Sequence, residues 1–149
     1  MKPKLLLSND DGINSPFLPP FIKALTQVAE LEIVVPAREQ SWIGRAYSRH
    51  SEIEVKDIGE FCGAHCHTVG GTPSDCVNIA LSHLCKEPDA VVSGLNIGQN
   101  VAFPLLWSSG TFAAAVEAAG WGFAAFAFSM RLEKAYYEAC RIQNAPAPP

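Results

Sequence analysis

A short apolar run that ends in two adjacent acidic residues most constrains how this chain can fold. Residues 5–7 are all leucine, and the polar segment 8–12 follows at once, with Asp10 and Asp11 at its centre. Three leucines between polar segments are typical of a strand buried on both faces, as in a parallel sheet. Because Asn, Asp and Gly are also common turn formers, the two carboxylates taken alone could simply be solvated in a turn.

The apolar pattern along the rest of the chain predicts an α/β fold. Strand-like runs alternate with helix-like stretches, and we predict strands at 5–7, 32–35, 53–55, 66–69, 89–92 and 123–129. We predict helices at 19–29, 73–84, 111–119 and 132–142. The second of these helices should have Thr72 as its N-cap and Asp75 in its first turn. This alternation favours a Rossmann-like, mostly parallel sheet with helices on both faces.

Composition limits the classes of partner. The chain has 149 residues, of which 48% are hydrophobic, and this suits one domain with a packed core. Its formal net charge is −4 without a Lys/Arg cluster, so we expect no nucleic-acid polymer as partner. We expect no membrane span, because the apolar stretch 112–128 is too short and contains Glu117. With five cysteines and no recognisable secretion signal, we expect a cytoplasmic protein with reduced thiols.

Oxygen-bearing side chains follow three of the predicted strands. Asp10 and Asp11 follow the first strand, Ser41 follows the second, and Asn96 follows the strand at 89–92. The carboxyl ends of parallel strands lie at one edge of the sheet, so we expect these side chains to meet there. Carboxylate, hydroxyl and carboxamide oxygens are hard ligands that suit Mg²⁺ or Mn²⁺. Two adjacent carboxylates in such a place need a cation or a shifted pKa.

Ser109, Gly110 and Thr111 open the predicted helix at 111–119. The free amides at a helix N-terminus attract an anion, and glycine lets the backbone approach a phosphate oxygen closely. Taken alone, Ser109 or Thr111 is more simply explained as an N-cap. A metal site and an anion site at one sheet edge together indicate phosphate-ester chemistry.

Five segments in order resemble the SurE family of stationary-phase survival nucleotidases. They are 5–12 with Pro16, 35–41, 71–77, 92–100 and 109–111. The resemblance implies a metal-dependent phosphatase for nucleoside monophosphates, a 5'-nucleotidase, with one Mg²⁺ or Mn²⁺ per subunit. The metal ligands that it implies are Asp10, Asp11, Ser41 and Asn96. The phosphate-binding residues that it implies are Asn100, Ser109, Gly110 and Thr111.

The implied reaction is metal-assisted attack of water on the phosphate. Asp10 or Asp11 could act as the base, and we favour Asp11 without separating the two. Attack on phosphorus by one of these carboxylates is less favoured, because both are already accounted for as ligands.

The resemblance covers residues 4–130, so we predict a phosphatase core at 1–130 and a helix with a divergent Pro-rich tail at 131–149. The C-terminal part of the family, with a β-hairpin and an arm used in forming dimers or tetramers, is expected to be missing. The alternative is a fragment that binds metal or a partner without efficient catalysis. A third alternative, a receiver-type signalling domain, would need a lysine where this chain has Arg131.

Segment 62–67 contains two cysteines and two histidines, but no second pair completes a standard zinc site, which we therefore do not favour. Small buried hydrophobes are the simpler role for the cysteines. No carboxylate partner is recognisable for any histidine, so we predict no catalytic role for His50, His65, His67 and His83.

Overall fold

A computed structural model describes residues 1–133 and residue 138. Its six strands span Lys4–Ser8 (β1), Glu30–Pro36 (β2), Val55–Phe61 (β3), Ala64–Val69 (β4), Ala90–Ile97 (β5) and Ala125–Met130 (β6). Its helices span Leu18–Leu25 (α1), Pro73–Ile79 (α2), Phe103–Ser108 (α3) and Gly110–Gly120 (α4). A π-helical turn, Ala80–Leu84, continues α2.

All six strands form one sheet in the order β3-β4-β2-β1-β5-β6. Every neighbouring pair is parallel except β3 with β4. The leucines of β1 explain its central place, because Leu6 packs into the core on one face and Leu7 into the core on the other, both fully buried. Burial of each such side chain stabilises the fold by roughly 1.5–3 kcal/mol.

Helices cover both faces of the sheet, as predicted. On one face, α2, its π-helical turn and α4 pack against a core that includes Leu6, Val34 and Val91. On the other face, Leu18 and Ile22 of α1 pack against the opposite faces of the same strands. No helix among the described residues is long and apolar enough to cross a membrane.

Several element bounds differ from prediction. Helix α1 ends at Leu25 instead of 29, and α3 forms where we had predicted only a loop. Strand β5 continues beyond 92, so Asn96 lies inside the strand instead of in the loop that follows it. The predicted helix at 132–142 falls mostly outside the described residues; 132 and 133 are not helical, whereas Glu138 is.

The N-terminus of α2 confirms its predicted cap and fixes a neighbouring loop. Thr72 accepts a hydrogen bond from the Asp75 amide at 3.1 Å, and Asp75 accepts one from the Thr72 amide at 2.9 Å. The Thr72 hydroxyl donates to the Ala46 carbonyl, and Asp75 also accepts from the Ser48 amide. The long segment between β2 and β3 is thereby attached to the helix layer.

Candidate active site

The loop after β1 has a conformation fixed by Asn9. Its buried side chain accepts a hydrogen bond from the Gly12 amide and donates one to the Gly12 carbonyl, at 3.0 and 3.1 Å. Gly12 has φ +78°, and a Cβ there would lie 3.0 Å from the Pro36 carbonyl oxygen. A side chain is therefore strained at this position. The turn orients Asp10 and Asp11 at the carboxyl edge of the sheet.

Asp10 is buried against the N-terminus of α4. Its Oδ1 accepts a 2.7 Å hydrogen bond from the Thr111 hydroxyl, and a Cβ on Gly110 would lie only 2.7 Å from the Asp10 Cβ. Burial raises the pKa of Asp10 above its ordinary value, although the hydroxyl and amide of Thr111 oppose that rise. Thr111 thus holds Asp10 by a hydrogen bond, and Gly110 leaves room for the Asp10 Cβ.

Asp11 lies close to two other carboxylates, those of Asp10 and Glu39. Burial, then the charges of Asp10 and Glu39, raise the pKa of Asp11 from 3.8 to about 7. Glu39 was not predicted as a site residue, although it lies two positions before Ser41 in the same loop. Three carboxylates therefore converge at this edge, and a bound cation would relieve their mutual repulsion.

Ser41 reaches the same place on the long loop after β2. Its hydroxyl donates a 2.6 Å hydrogen bond to Glu39. The loop is held to α3 by the Gly44 amide, which donates to the Ser108 carbonyl. Further along, Arg45 and Tyr47 both contact the buried carboxylate of Glu117 in α4. These contacts attach the loop that carries Ser41 to α3 and α4.

A polar group on the opposite wall links β5, α4 and β6. The Asn100 side-chain amide donates to the hydroxyls of Ser109 and Ser129, at 2.9 and 2.7 Å. Ser109 is also the N-cap of α4, since its hydroxyl accepts from the Phe112 amide. Asn96 lies 3.4 Å from the same Ser129 hydroxyl. Ser129 is a member of the group that sequence reasoning missed.

These side chains surround one cavity of about 350 Å³. Six of the eight predicted site residues line it, namely Asp10, Asp11, Ser41, Asn96, Asn100 and Ser109. Glu39 and Trp42 complete the wall beside Ser41, and no Lys, Arg or His is among the lining residues. The other two predicted residues, Gly110 and Thr111, are buried behind Asp10. An oxygen-rich, cation-free cavity suits a hard divalent ion.

The prediction that no histidine has a carboxylate partner is wrong for His65 and His67. His65 contacts both Glu32 and Asp57, and His67 contacts Glu32. None of these residues lines the cavity, and Glu32 and His65 lie in the amino-terminal halves of β2 and β4. The contacts could not be foreseen, because they depend on the register between strands distant in sequence.

Comparison with known proteins gives the family. The family profile described as "Survival protein SurE" matches residues 5–146. The chain belongs to the SurE family. The resemblance drawn from the five sequence segments is therefore confirmed.

Individual members of the SurE family agree with this assignment. Proteins named 5'-nucleotidase SurE from Methanoculleus marisnigri and Citrifermentans bemidjiense are each 44% identical to this chain, over 133 and 128 residues. The alignments cover 89% and 85% of this chain but 50% of each relative, so the chain spans about half the length of these curated relatives.

A solved SurE structure confirms the fold. The SurE protein from Aquifex aeolicus superposes with a TM-score of 0.76 at 29% identity. The match covers 95% of this chain and 57% of that one. The α/β prediction is confirmed by this neighbour and by the mostly parallel six-stranded sheet.

Proposed function

We propose that this chain carries the catalytic centre of a divalent-metal-dependent phosphatase that hydrolyses nucleoside monophosphates. The observation that carries the proposal is the convergence of Asp10, Asp11, Ser41 and Asn96 on one cavity. The substrate class is taken from the relatives named 5'-nucleotidase. We place the reaction in the cytoplasm, because the four described cysteines are free thiols, as in a reducing compartment.

Asp10, Asp11, Ser41 and Asn96 would hold one Mg²⁺ or Mn²⁺ through oxygen atoms. Crowded carboxylates, with the Asp11 pKa raised to about 7, fit a cation because its charge would offset their repulsion. When bound, the ion supplies positive charge toward the phosphoryl oxygens and makes a water molecule more acidic. The identity of the ion is part of the proposal.

Side chains of the protein orient Asp10, accept a proton and bind the phosphate. Thr111 fixes the orientation of Asp10 through its hydroxyl, and Gly110 leaves the space that Asp10 occupies. Asp11, which faces the cavity, accepts the proton of the attacking water. On the opposite wall, the Ser109 hydroxyl would donate a hydrogen bond to the phosphate, and Asn100 would donate the amide hydrogen that otherwise goes to Ser129.

Trp42 would hold the nucleoside. Its side chain lines the cavity, yet the residue is 73% exposed. A flat apolar ring at the edge of a polar cavity offers a stacking surface for a base, while the phosphate occupies the oxygen-lined interior. This position predicts an effect of Trp42 on KM more than on kcat.

A second candidate function is metal binding without efficient turnover. It is favoured by β6, whose Phe126, Phe128 and Met130 are exposed. Exposed apolar side chains in a row on a strand are unusual for a complete monomer. In that case Asp10 and Asp11 would bind the ion but the substrate wall would be incomplete.

The deciding experiment measures phosphate release from a panel of nucleoside monophosphates with Mn²⁺, Mg²⁺ or EDTA. We expect metal-dependent release that falls at least about 100-fold in Asp10→Asn. Glu87→Gln removes an exposed acid that does not line the cavity. It is the matched control and should keep full activity. Folding of each variant is checked by circular dichroism. Absence of release from a folded, Mn²⁺-binding sample would reject the enzyme and favour metal binding alone.

A further inference from the structure

We propose a second metal site, for Zn²⁺ or a neighbouring transition-metal ion, formed by Glu32, His65 and His67 at the amino end of the sheet. One ligand atom from each of these residues lies within 4.8 Å of the other two. The site is separate from the oxygen-lined cavity, which lies at the carboxyl end of the same strands. It takes a different class of ion, because imidazole nitrogen is a softer ligand than carboxylate or hydroxyl oxygen.

Strand register brings the three side chains together. In the parallel pair of β2 and β4, Glu32 is opposite His65. His67 is two residues further along β4, so it projects from the same face as His65. Both histidines therefore reach the same glutamate from one strand.

Two of the three distances between the ligand atoms are close to the edges of a tetrahedral zinc site. Nδ1 of His65 lies 3.1 Å from Oε1 of Glu32, and Nδ1 of His67 lies 3.3 Å from the same oxygen. Zinc bonds of 2.0–2.1 Å at tetrahedral angles place neighbouring ligand atoms about 3.4 Å apart. Each histidine is thus near the required distance from Glu32, and the two histidine ligand atoms lie within 4.8 Å of each other.

His67 supplies a second, independent indication of a ligand. The residue is 9% exposed, and its Nδ1 is buried without a hydrogen-bond partner. The 3.3 Å approach to Glu32 is short enough for a hydrogen bond but lacks the required angles. A buried polar atom without a partner is costly, and coordination of a shared ion would satisfy both this nitrogen and the carboxylate.

Asp57 on β3 positions one of the imidazoles. Its Oδ1 lies 2.9 Å from Nε2 of His65 and also accepts a hydrogen bond from the Gly59 amide at 2.8 Å. If Nε2 carries the proton, the Nδ1 lone pair of His65 is directed toward Glu32. A carboxylate behind a ligating histidine is a common arrangement around protein-bound zinc.

The two imidazoles and one carboxylate leave a fourth position open. His65 is at the surface, with 46% of its side chain exposed, so an ion can enter from solvent. The competing explanation is a proton instead of a metal, since Asp57 and Glu32 raise the pKa of His65 and a protonated ring would satisfy both acids. The two explanations differ in whether zinc binds.

The experiment titrates Zn²⁺ into the full chain in competition with a coloured chelator, in an Asp10→Asn background that disables the other site. One equivalent should bind, and His65→Gln or Glu32→Gln should weaken binding at least about 100-fold. Asp57→Asn should weaken it by about 10–100-fold. His83→Gln, an exposed histidine elsewhere, is the matched control and should have no effect.

Cobalt provides a direct reading of the ligand set. Co²⁺ should give the intense visible absorption of a tetrahedral complex, and His65→Gln should remove it. His65 is half exposed, so this variant should fold even if a change at the buried His67 does not. The proposal would be overturned if the parent chain failed to bind zinc, or if His65→Gln and Glu32→Gln bound zinc as tightly as the parent chain.

Discussion

The two ends of the sheet hold chemically different clusters that are built in different ways. At the carboxyl end, Asp10, Asp11 and Ser41 project from loops that follow strands, and Thr111 holds Asp10 from the N-terminus of α4. At the amino end, Glu32 and His65 project from the strands themselves. The first cluster depends on loop conformation and helix docking, and the second depends on register.

This difference predicts different sensitivities to substitution. Asp10 is closely surrounded, since a Cβ added at Gly110 would lie 2.7 Å from the Cβ of Asp10. His65 has 46% of its side chain exposed and can adjust to a change. We therefore expect changes behind the carboxyl-end cluster to affect folding and activity together, and changes at the amino end to affect mainly metal affinity.

The largest expected effect is that of Gly110→Ala. The new Cβ would be forced against Asp10 and the Pro73 ring, so we expect a loss of about 3 kcal/mol in the free energy of unfolding. Phosphatase activity should fall by about 100-fold, whereas zinc affinity at the amino end should not change.

Gly120→Ala is the matched control for this prediction, since it makes the same substitution in the same helix. Nothing lies within 4 Å of a Cβ at Gly120, so stability should be unchanged or higher by up to about 1 kcal/mol. Urea denaturation measures both variants. Equal stabilities of the two variants would contradict the crowding argument at Asp10.

The second prediction concerns pH. Because the pKa of Asp11 is raised to about 7 by burial and by Asp10, the folded state holds this proton more tightly than the unfolded state. The resulting stability is fully present below about pH 4 and is lost as pH rises through 7. Without metal, the wild type should lose roughly 4 kcal/mol relative to Asp11→Asn between pH 4 and 8.

Denaturation with EDTA across this pH range measures the difference between wild type and Asp11→Asn. Adding Mn²⁺ at pH 8 should restore stability to the wild type far more than to the variant. Parallel pH curves for the two proteins would show that Asp11 does not titrate in this range.

The third prediction tests the hydroxyl behind Asp10. Thr111→Val keeps the shape of a fully buried side chain but removes the donor to Asp10, so it should cost about 1.5 kcal/mol. Activity should fall about tenfold, because Asp10 loses the contact that orients it. Thr111→Ser, which retains a hydroxyl, should recover most of the activity even if packing makes it less stable.

The smallest expected effect is at the amino end. In the absence of metal, His65→Gln should change the melting temperature by no more than about 2 °C, because the side chain is half exposed. Differential scanning calorimetry in EDTA measures this. A large loss of stability would show that His65 is needed for the register of β4, which would make the two ends more alike than we infer.

Much of the carboxyl-end cluster was predictable from local sequence. Asp10, Asp11 and Ser41 each come soon after an apolar run, and parallel strands bring such positions to one edge. Asn96 was predicted to follow a strand that ends at 92; it lies inside the longer β5 instead, and it still lines the cavity. Ser129 was missed because its partner Asn100 is 29 positions away, and Glu39 was missed because no local pattern indicates that it comes near Asp11.

The sequence by itself determined the alternation of elements, the buried place of β1 and the capped start of α2 at Thr72. These follow from periodicity and capping, which act over a few residues. Only the tertiary structure decided the pairing of Glu32 with His65, and the contact of Thr111 with Asp10 across 101 positions. Such contacts depend on how whole strands and helices dock, and no local pattern encodes the register of two distant segments.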